Sequence, residues 1–128
     1  MSFQIMLVED EDQQRAVLTM LFESEGFTTK SFSSAEDALQ HLHETDPRLI
    51  VTDVKLTGMD GFALYEKIRA LERFRKTPFV FITAYNDPNV IRTVTSQDSV
   101  AYVTKPYNLE DLLKTVKLIA SSIPQVRE

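Results

Sequence analysis

Polar side chains that could bind phosphate or a metal ion stand one or two residues after four short apolar runs of this sequence. These side chains are Glu9 with Asp10, Asp53, Thr83 and Lys105. If the runs are parallel strands, their carboxyl ends meet at one edge of a sheet, which is where open α/β sheets bind ligands. A single polar residue at a strand end is most simply a solvated residue, but four such ends together favour a shared site.

The residue types in this set indicate a particular chemistry. Converging carboxylates repel one another by about 4 kcal/mol per pair at about 4 Å and an effective dielectric of about 20, and a divalent cation removes that conflict. Oxygen ligands in a chain without cysteine favour Mg²⁺, which also bridges to phosphoryl oxygens. A carboxylate beside Mg²⁺ can form an aspartyl phosphate, and a hydroxyl and an ammonium, here Thr83 and Lys105, would orient the transferred group.

The apolar runs predict the strands that position these residues. Four runs are continuously apolar, as expected for a parallel sheet covered by helices on both faces, and a fifth, more polar run fits an edge strand. The predicted strands are 5–8, 28–32, 49–51, 79–82 and 100–103. Segments with helical periodicity or capping residues lie between them, at 12–25, 33–45, 61–74, 89–95 and from 109 onward. Five strands alternating with five helices predict an α/β, doubly wound parallel sheet.

Three local motifs indicate where helices begin. Ser33 with Glu36 three residues later fits a capping box at the start of the second helix. Asn108 is a suitable N-cap for the last helix. Asp60 and Gly61 indicate a turn and a helix start.

Composition excludes several function classes. The chain of 128 residues has 14 Lys and Arg against 19 Asp and Glu, a net charge of −5, which argues against a nucleic-acid binder that relies on a basic surface. No apolar run approaches the roughly 20 residues of a membrane span, and the first residues lack the basic flank of a signal peptide. We therefore expect a cytoplasmic protein with one domain over 1–122 and a tail over 123–128.

The ordered set of motifs resembles the receiver domains of two-component response regulators, of the single-domain, chemotaxis-regulator-like type. The matching segments are VEDE at 8–11, IVTD at 50–53, GMDG at 58–61, TA at 83–84 and YVTKPY at 102–107. Each motif alone is weak, but their order and spacing fit over essentially the whole chain. The resemblance implies a flavodoxin-like fold with strand order 2-1-3-4-5.

The resemblance also implies roles for the acidic residues and their neighbour. Asp53 matches the phosphoryl acceptor. Asp10 matches a direct ligand of Mg²⁺, and Glu9 matches a ligand that acts through water. The backbone carbonyl of Lys55 matches a third protein ligand.

Further roles follow for the residues after the fourth and fifth strands. Thr83 and Lys105 match the hydroxyl and ammonium that contact the phosphoryl group. Tyr102 matches an aromatic switch whose ring turns inward when Thr83 moves toward that group. The Lys105–Pro106 peptide bond matches one that is usually cis.

The sequence departs from the family pattern at two loops. Thr57 stands four residues after the acceptor, where proline is common, and Gln97-Asp98-Ser99 replaces a small Gly-Ala loop. Lys55 and Tyr85, two residues after Asp53 and Thr83, flank the route of water to the phosphoryl group. We therefore hypothesise that their bulk and the charge of Lys55 slow self-dephosphorylation.

The implied function is a signalling module that is not an enzyme, apart from assisting its own Mg²⁺-dependent phosphorylation and dephosphorylation. Its partners would be a sensor histidine kinase or histidine phosphotransfer protein and a target docked on the fourth helix, fifth strand and fifth helix, without nucleic acid or membrane contact. It would be a monomer or a dimer induced by phosphorylation.

Three alternatives remain open at this point. A metal-dependent phosphatase would need a second Asp at position 55, which is Lys. A flavodoxin-like redox carrier would need a loop rich in Ser, Thr and Gly after the first strand, where this chain is acidic. A pseudo-receiver that only docks to other proteins is the third alternative.

Overall fold

A five-stranded parallel sheet lies at the centre of the protein. The computed structural model describes residues 3–84, 87–96 and 99–122. The strands are β1 (Phe3–Val8), β2 (Phe27–Phe32), β3 (Leu49–Asp53), β4 (Phe79–Thr83) and β5 (Val100–Thr104). Their order is β2-β1-β3-β4-β5 and every neighbouring pair is parallel. The predicted α/β fold, strand order and edge position of β2 are confirmed.

Helices cover both faces of this sheet. In the described ranges they are α1 (Asp12–Ser24), α2 (Ala35–Gln40), α3 (Leu42–Thr45), α4 (Gly61–Arg69), α5 (Pro88–Ser96) and α6 (Leu109–Ser121), with a 3₁₀ turn at Glu72–Phe74. Over the residues that the structure describes, no helix combines the length and apolar character needed to cross a membrane.

Two apolar cores hold the layers together. On one face Leu18 and Phe22 of α1 pack with Leu112 and Val116 of α6 and with inward residues of the sheet. On the other face residues of α2, α3, α4 and α5 pack against the sheet around Phe81. All residues of β3 and β4 are buried, which explains their continuous hydrophobicity and makes them a firm base for the residues at their ends.

The second predicted helix is two helices, so the prediction of five helices is wrong and the described residues form six. The backbone N–H of His41 reaches the carbonyls of both Asp37 and Ala38, and its side-chain Nδ1 lies 2.9 Å from the Asp37 carbonyl. These competing bonds tighten the last turn of α2, and a new turn, α3, begins at Leu42. The helix cap is Ser34, whose hydroxyl accepts the N–H of Asp37 at 3.0 Å, and not the predicted Ser33.

The third predicted helix is shorter than expected. It ends at Arg69, because Leu71 adopts an extended backbone conformation, and the remainder of 61–74 contains the 3₁₀ turn. The weakly patterned segment 89–95 does form a helix, α5. Asn108 caps α6 as predicted, accepting the N–H of Asp111 at 2.7 Å.

Candidate functional site

Three strand ends bring four of the predicted side chains together. Glu9 and Asp10 follow β1, Asp53 is the last residue of β3, and Lys105 follows β5. One carboxylate oxygen from each of Glu9, Asp10 and Asp53 lies within 4.8 Å of the others. The Nζ of Lys105 lies 3.2 Å from Oδ1 of Asp53. The cleft around them has a volume of about 610 Å³ and is lined by Glu9, Asp10, Glu11, Gln14, Asp53, Lys105, Pro106 and Tyr107.

Two of these carboxyl groups are almost completely buried. Glu9 is 3% exposed and Asp53 is 2% exposed. Burial, and next the neighbouring Asp53, raise the pKa of Glu9 to about 7, and burial raises the pKa of Asp53 as well. The positive charge of Lys105 opposes both shifts but does not cancel them. The carboxyl pair therefore favours a bound proton, or a cation, near neutral pH.

The donor set fits a divalent cation. Three carboxyl groups face one ammonium, and carboxylate oxygens are the ligands that Mg²⁺ takes in proteins. Oδ1 of Asp53 is buried and has no hydrogen-bond donor aligned with it, although it forms the ion pair with Lys105. A buried carboxylate oxygen without a hydrogen-bond donor has a lone pair that a cation could use.

Backbone and hydroxyl donors fix two of the acidic side chains. Oε2 of Glu9 accepts the N–H of Glu11 at 3.1 Å. Oδ2 of Asp10 accepts both the N–H of Thr57 at 3.1 Å and its hydroxyl at 3.2 Å. The orientation of these two carboxyl groups is thus set by the loops after β1 and β3.

Gly61 does more than begin a helix. Asp60 caps α4 by accepting the N–H of Ala63 at 2.7 Å, which is the helix-start role predicted from the sequence. A Cβ on Gly61, however, would lie 2.0 Å from the carbonyl oxygen of Asp53. The start of α4 therefore packs directly on the backbone of Asp53, and only glycine permits that approach.

Thr83 lies at the end of β4 and is 3% exposed. Its hydroxyl donates to the carbonyl of Ala84 at 3.3 Å and lies 3.5 Å from Oδ2 of Asp87, next to the start of α5. Its hydrogen bonds in this state therefore go to the loop before α5. Tyr102, on β5 beside Phe81, is 38% exposed.

The other predicted residues lie around the rim of the site or outside the described ranges. The side chain of Lys55 is exposed to solvent. The Lys105–Pro106 peptide bond is cis. Tyr85 lies outside the described residues, as do Gln97 and Asp98 of the unusual loop.

Sequence reasoning missed two contacts at the site. The first is the contact of Thr57 with Asp10, which the sequence marks only by the departure from proline at position 57. Because threonine has two hydrogen-bond donors that proline lacks, this departure could have indicated the contact. The side-chain amide of Gln14 donates to the hydroxyl of Tyr107 across one wall of the cleft. No sequence pattern links these two residues, because they lie 93 positions apart.

A family model described as the response regulator receiver domain matches residues 5–117. The chain belongs to this family. Among curated relatives, the transcriptional regulatory protein AfsQ1 of Streptomyces coelicolor is 38% identical over 104 residues, covering 80% of this chain and 44% of that protein. CssR of Bacillus subtilis is 32% identical, covering 100% of this chain and 57% of CssR. The chain spans only 24% of another relative, DctD of Rhizobium meliloti.

Solved structures have the same receiver fold. The signal receiver domain of a signal transduction histidine kinase from Syntrophus aciditrophicus superposes with a TM-score of 0.85 at 28% identity, covering 99% of this chain and 96% of that one. The chemotaxis protein CheY4 of Vibrio cholerae superposes with a TM-score of 0.84 at 21% identity, covering 93% and 99%, and shows likeness of fold. Membership of the receiver family favours the receiver interpretation over the phosphatase and redox-carrier alternatives.

Proposed function

We propose that this receiver domain accepts a phosphoryl group on Asp53 with the help of Mg²⁺ and thereby changes the surface that it presents to other proteins. The observation that supports the proposal is the geometry around Asp53. A buried acceptor has two further carboxyl oxygens within 4.8 Å and an ammonium at 3.2 Å. Such a set can balance the charge of a transferred phosphoryl group.

The metal would be held by the acidic cluster. Asp10 and Asp53 would be direct ligands, Glu9 would act through water, and the backbone carbonyl of Lys55 would be the third protein ligand. When bound, Mg²⁺ supplies positive charge to the carboxylates and to the phosphoryl oxygens.

Transfer would begin with the carboxylate of Asp53 attacking phosphorus. The new bond is between an Asp53 oxygen and phosphorus, and the bond that breaks joins phosphorus to an imidazole nitrogen of the donor, which keeps the electron pair. Lys105, already paired with Asp53, would contact an oxygen of the transferred group. The donor would be a sensor histidine kinase or a histidine phosphotransfer protein.

The conformational response would begin at Thr83. Its hydroxyl bonds to Ala84 and Asp87 are long, at 3.3 and 3.5 Å, so they can be exchanged for a bond to a phosphoryl oxygen. Movement of Thr83 would leave space for Tyr102 to turn inward. The fourth and fifth helices of the sequence analysis are α5 and α6, so the docking face for a target would be α5, β5 and α6.

Several wider expectations belong to the same proposal. The receiver domain would span 1–122, with a tail over 123–128 that lies outside the described residues. The protein would act in the cytoplasm as a monomer or a phosphorylation-induced dimer. It would be a signalling protein, not an enzyme beyond its own phosphorylation chemistry, and would contact neither nucleic acid nor membrane directly.

Intact-protein mass spectrometry after incubation with acetyl phosphate tests the proposal. We expect one added phosphoryl group that requires both Mg²⁺ and Asp53, so that Asp53→Asn abolishes it. Asp46→Asn is a matched control, because Asp46 is a left-handed residue at the end of α3 and asparagine tolerates that conformation. Absence of any adduct, together with failure to bind the phosphoryl mimic beryllofluoride, would leave the pseudo-receiver as the better account.

The proposal extends to the lifetime of the phosphoryl group. Lys55 is exposed two residues after Asp53, where it can restrict the approach of water. We expect the Lys55→Ala, Tyr85→Ala double variant to lose phosphate faster than the wild type when dephosphorylation is followed by mass spectrometry. An unchanged rate would refute this role for the two residues.

A further inference from the structure

Thr57 donates twice to the side chain of Asp10. Its backbone N–H lies 3.1 Å and its hydroxyl 3.2 Å from the same oxygen, Oδ2. Thr57 belongs to the loop between β3 and α4 and lies 47 residues from Asp10 in the sequence. The contact therefore ties the loop that follows the acceptor strand to an acidic residue of the cluster.

The loop around Thr57 is also anchored from its other side. The N–H of Met59 donates to Oε2 of Glu36, on α2, at 2.9 Å. Gly58 between the two anchors has a φ of 82°, and a Cβ there would lie 2.7 Å from the same Glu36 oxygen. The positive φ of this turn favours glycine, and the turn directs the N–H groups of Thr57 and Met59 to two different carboxylates, those of Asp10 and Glu36. The position of Thr57 is thus fixed by more than its contact with Asp10.

We propose that Thr57 is a positioning residue that holds Asp10 in the orientation that binds Mg²⁺. The proposal rests on the metal site of the proposed function and adds a residue that acts through a ligand. Asp10 remains part of the cluster while Thr57 holds it, because it still offers an oxygen within 4.8 Å of those of Glu9 and Asp53. The held orientation is therefore compatible with metal binding, and Thr57 need not release Asp10 first.

The size of the effect follows from the general behaviour of metal sites. Groups that hydrogen-bond to metal ligands fix the ligand's orientation, and their loss typically weakens metal binding by about 10-fold to about 100-fold. A proline at position 57 has neither an N–H nor a hydroxyl to donate. Thr57 thus donates two hydrogen bonds to Asp10 that a proline at the same position could not donate.

Mg²⁺ titration of the full chain followed by two-dimensional amide NMR tests the proposal without relying on phosphorylation. Thr57→Val removes the hydroxyl at nearly constant shape, Thr57→Ser keeps it, and Thr57→Pro removes both donors. We expect Thr57→Val to weaken Mg²⁺ binding about 10-fold, Thr57→Pro to weaken it at least as much, and Thr57→Ser to stay within about 2-fold of the wild type. Thr115→Val, the same chemical change on α6, is the matched control and should leave Mg²⁺ binding unchanged.

A second measurement separates positioning from a general loss of structure. In acetyl phosphate reactions, Thr57→Val should raise the Mg²⁺ concentration needed for half-maximal phosphorylation and leave the rate at saturating Mg²⁺ unchanged. Wild-type affinity in both Thr57→Val and Thr57→Pro, or tighter binding in either, would overturn the proposal. Failure of the wild-type protein to bind Mg²⁺ would instead overturn the metal site of the proposed function. The wild-type titration is done first, so this outcome is known before any variant is compared.

Discussion

The buried carboxyl pair makes the stability of the metal-free protein depend on pH, and Glu9→Gln tests this directly. The pKa of Glu9 is raised from 4.5 to about 7 in the folded protein, first by burial and then by Asp53. A group with a raised folded pKa binds its proton more tightly in the folded state than in the unfolded state. Its contribution to stability is therefore complete below pH 4.5 and is lost as the pH rises toward 7.

The magnitude follows from the two pKa values. The difference between 4.5 and about 7, at about 1.4 kcal/mol for each tenfold change in proton affinity, gives about 3 kcal/mol. Glutamine resembles the protonated form of Glu9 and does not titrate. Part of this difference is already lost below pH 5, so we expect the free energy of unfolding of Glu9→Gln, minus that of the wild type, to increase by about 2–3 kcal/mol between pH 5 and pH 8.

Urea denaturation in the presence of EDTA, repeated between pH 5 and pH 8, measures this difference. The pKa of His41 is raised first by the Asp37 carbonyl, but His41 is present in both proteins and cancels in the comparison. Glu36→Gln is the matched control. Acceptance of the Met59 N–H lowers the pKa of Glu36 below its ordinary value, so the difference for this variant should stay constant over the same range. A constant difference for Glu9→Gln as well would refute the reasoning.

Three further predictions follow from the contacts around the site and the core. Gly61→Ala should destabilise the fold by about 1–3 kcal/mol in urea denaturation, because the steric clash of a Cβ 2.0 Å from the Asp53 carbonyl oxygen outweighs the helix preference of alanine. A neutral or stabilising result would contradict the close approach. Lys105→Met should raise the pKa of the Glu9 and Asp53 carboxyl groups further, because the charge of Lys105 lowers both in the wild type. Carboxyl-carbon NMR measures the two pKa values, and unchanged values would exclude that coupling. Arg69→Lys should lower the free energy of unfolding by about 1–3 kcal/mol, because the guanidinium donates to the carbonyls of Phe74 and Thr77 and lies over the ring of Tyr65. A loss well below 1 kcal/mol in urea denaturation would show that an ammonium can replace the guanidinium.

Much of the fold could be predicted from the sequence because the central strands are buried on both faces. A strand such as β4 is buried at every position and apolar from Phe79 to Ile82, and a short apolar run between two helical segments fits the interior of a parallel sheet. The second helix was mispredicted because its break at His41 depends on one side chain competing for the carbonyl of Asp37. Such local competition leaves no trace in hydrophobic periodicity.

The candidate site could be predicted as far as strand ends determine it. Glu9, Asp10, Asp53 and Lys105 follow or end their strands directly, so the sheet alone brings them together. The hydrogen bonds from Thr57 to Asp10 depend instead on the path of the loop between β3 and α4. That path is set by Gly58 and Glu36, which lie on different elements, so single-sequence reasoning has no means of pairing them.

Burial of charge distinguishes this site from the rest of the described chain. The buried polar side chains in the described ranges are four threonines, Thr29, Thr52, Thr83 and Thr93, and two acids, Glu9 and Asp53. Threonine can satisfy its hydroxyl on the nearby backbone, as Thr52 does on the carbonyl of Asp53. Hydrogen bonds such as that from the N–H of Glu11 to Glu9 do not remove the conflict between two neighbouring acids, because their negative charges repel each other when both are ionised. An apolar residue at either position would relieve that conflict. The other charged residues of the described ranges are less deeply buried than Glu9 and Asp53. The electrostatic cost is thus concentrated where a cation and a phosphoryl group would offset it, as expected when local rules fail at a functional site.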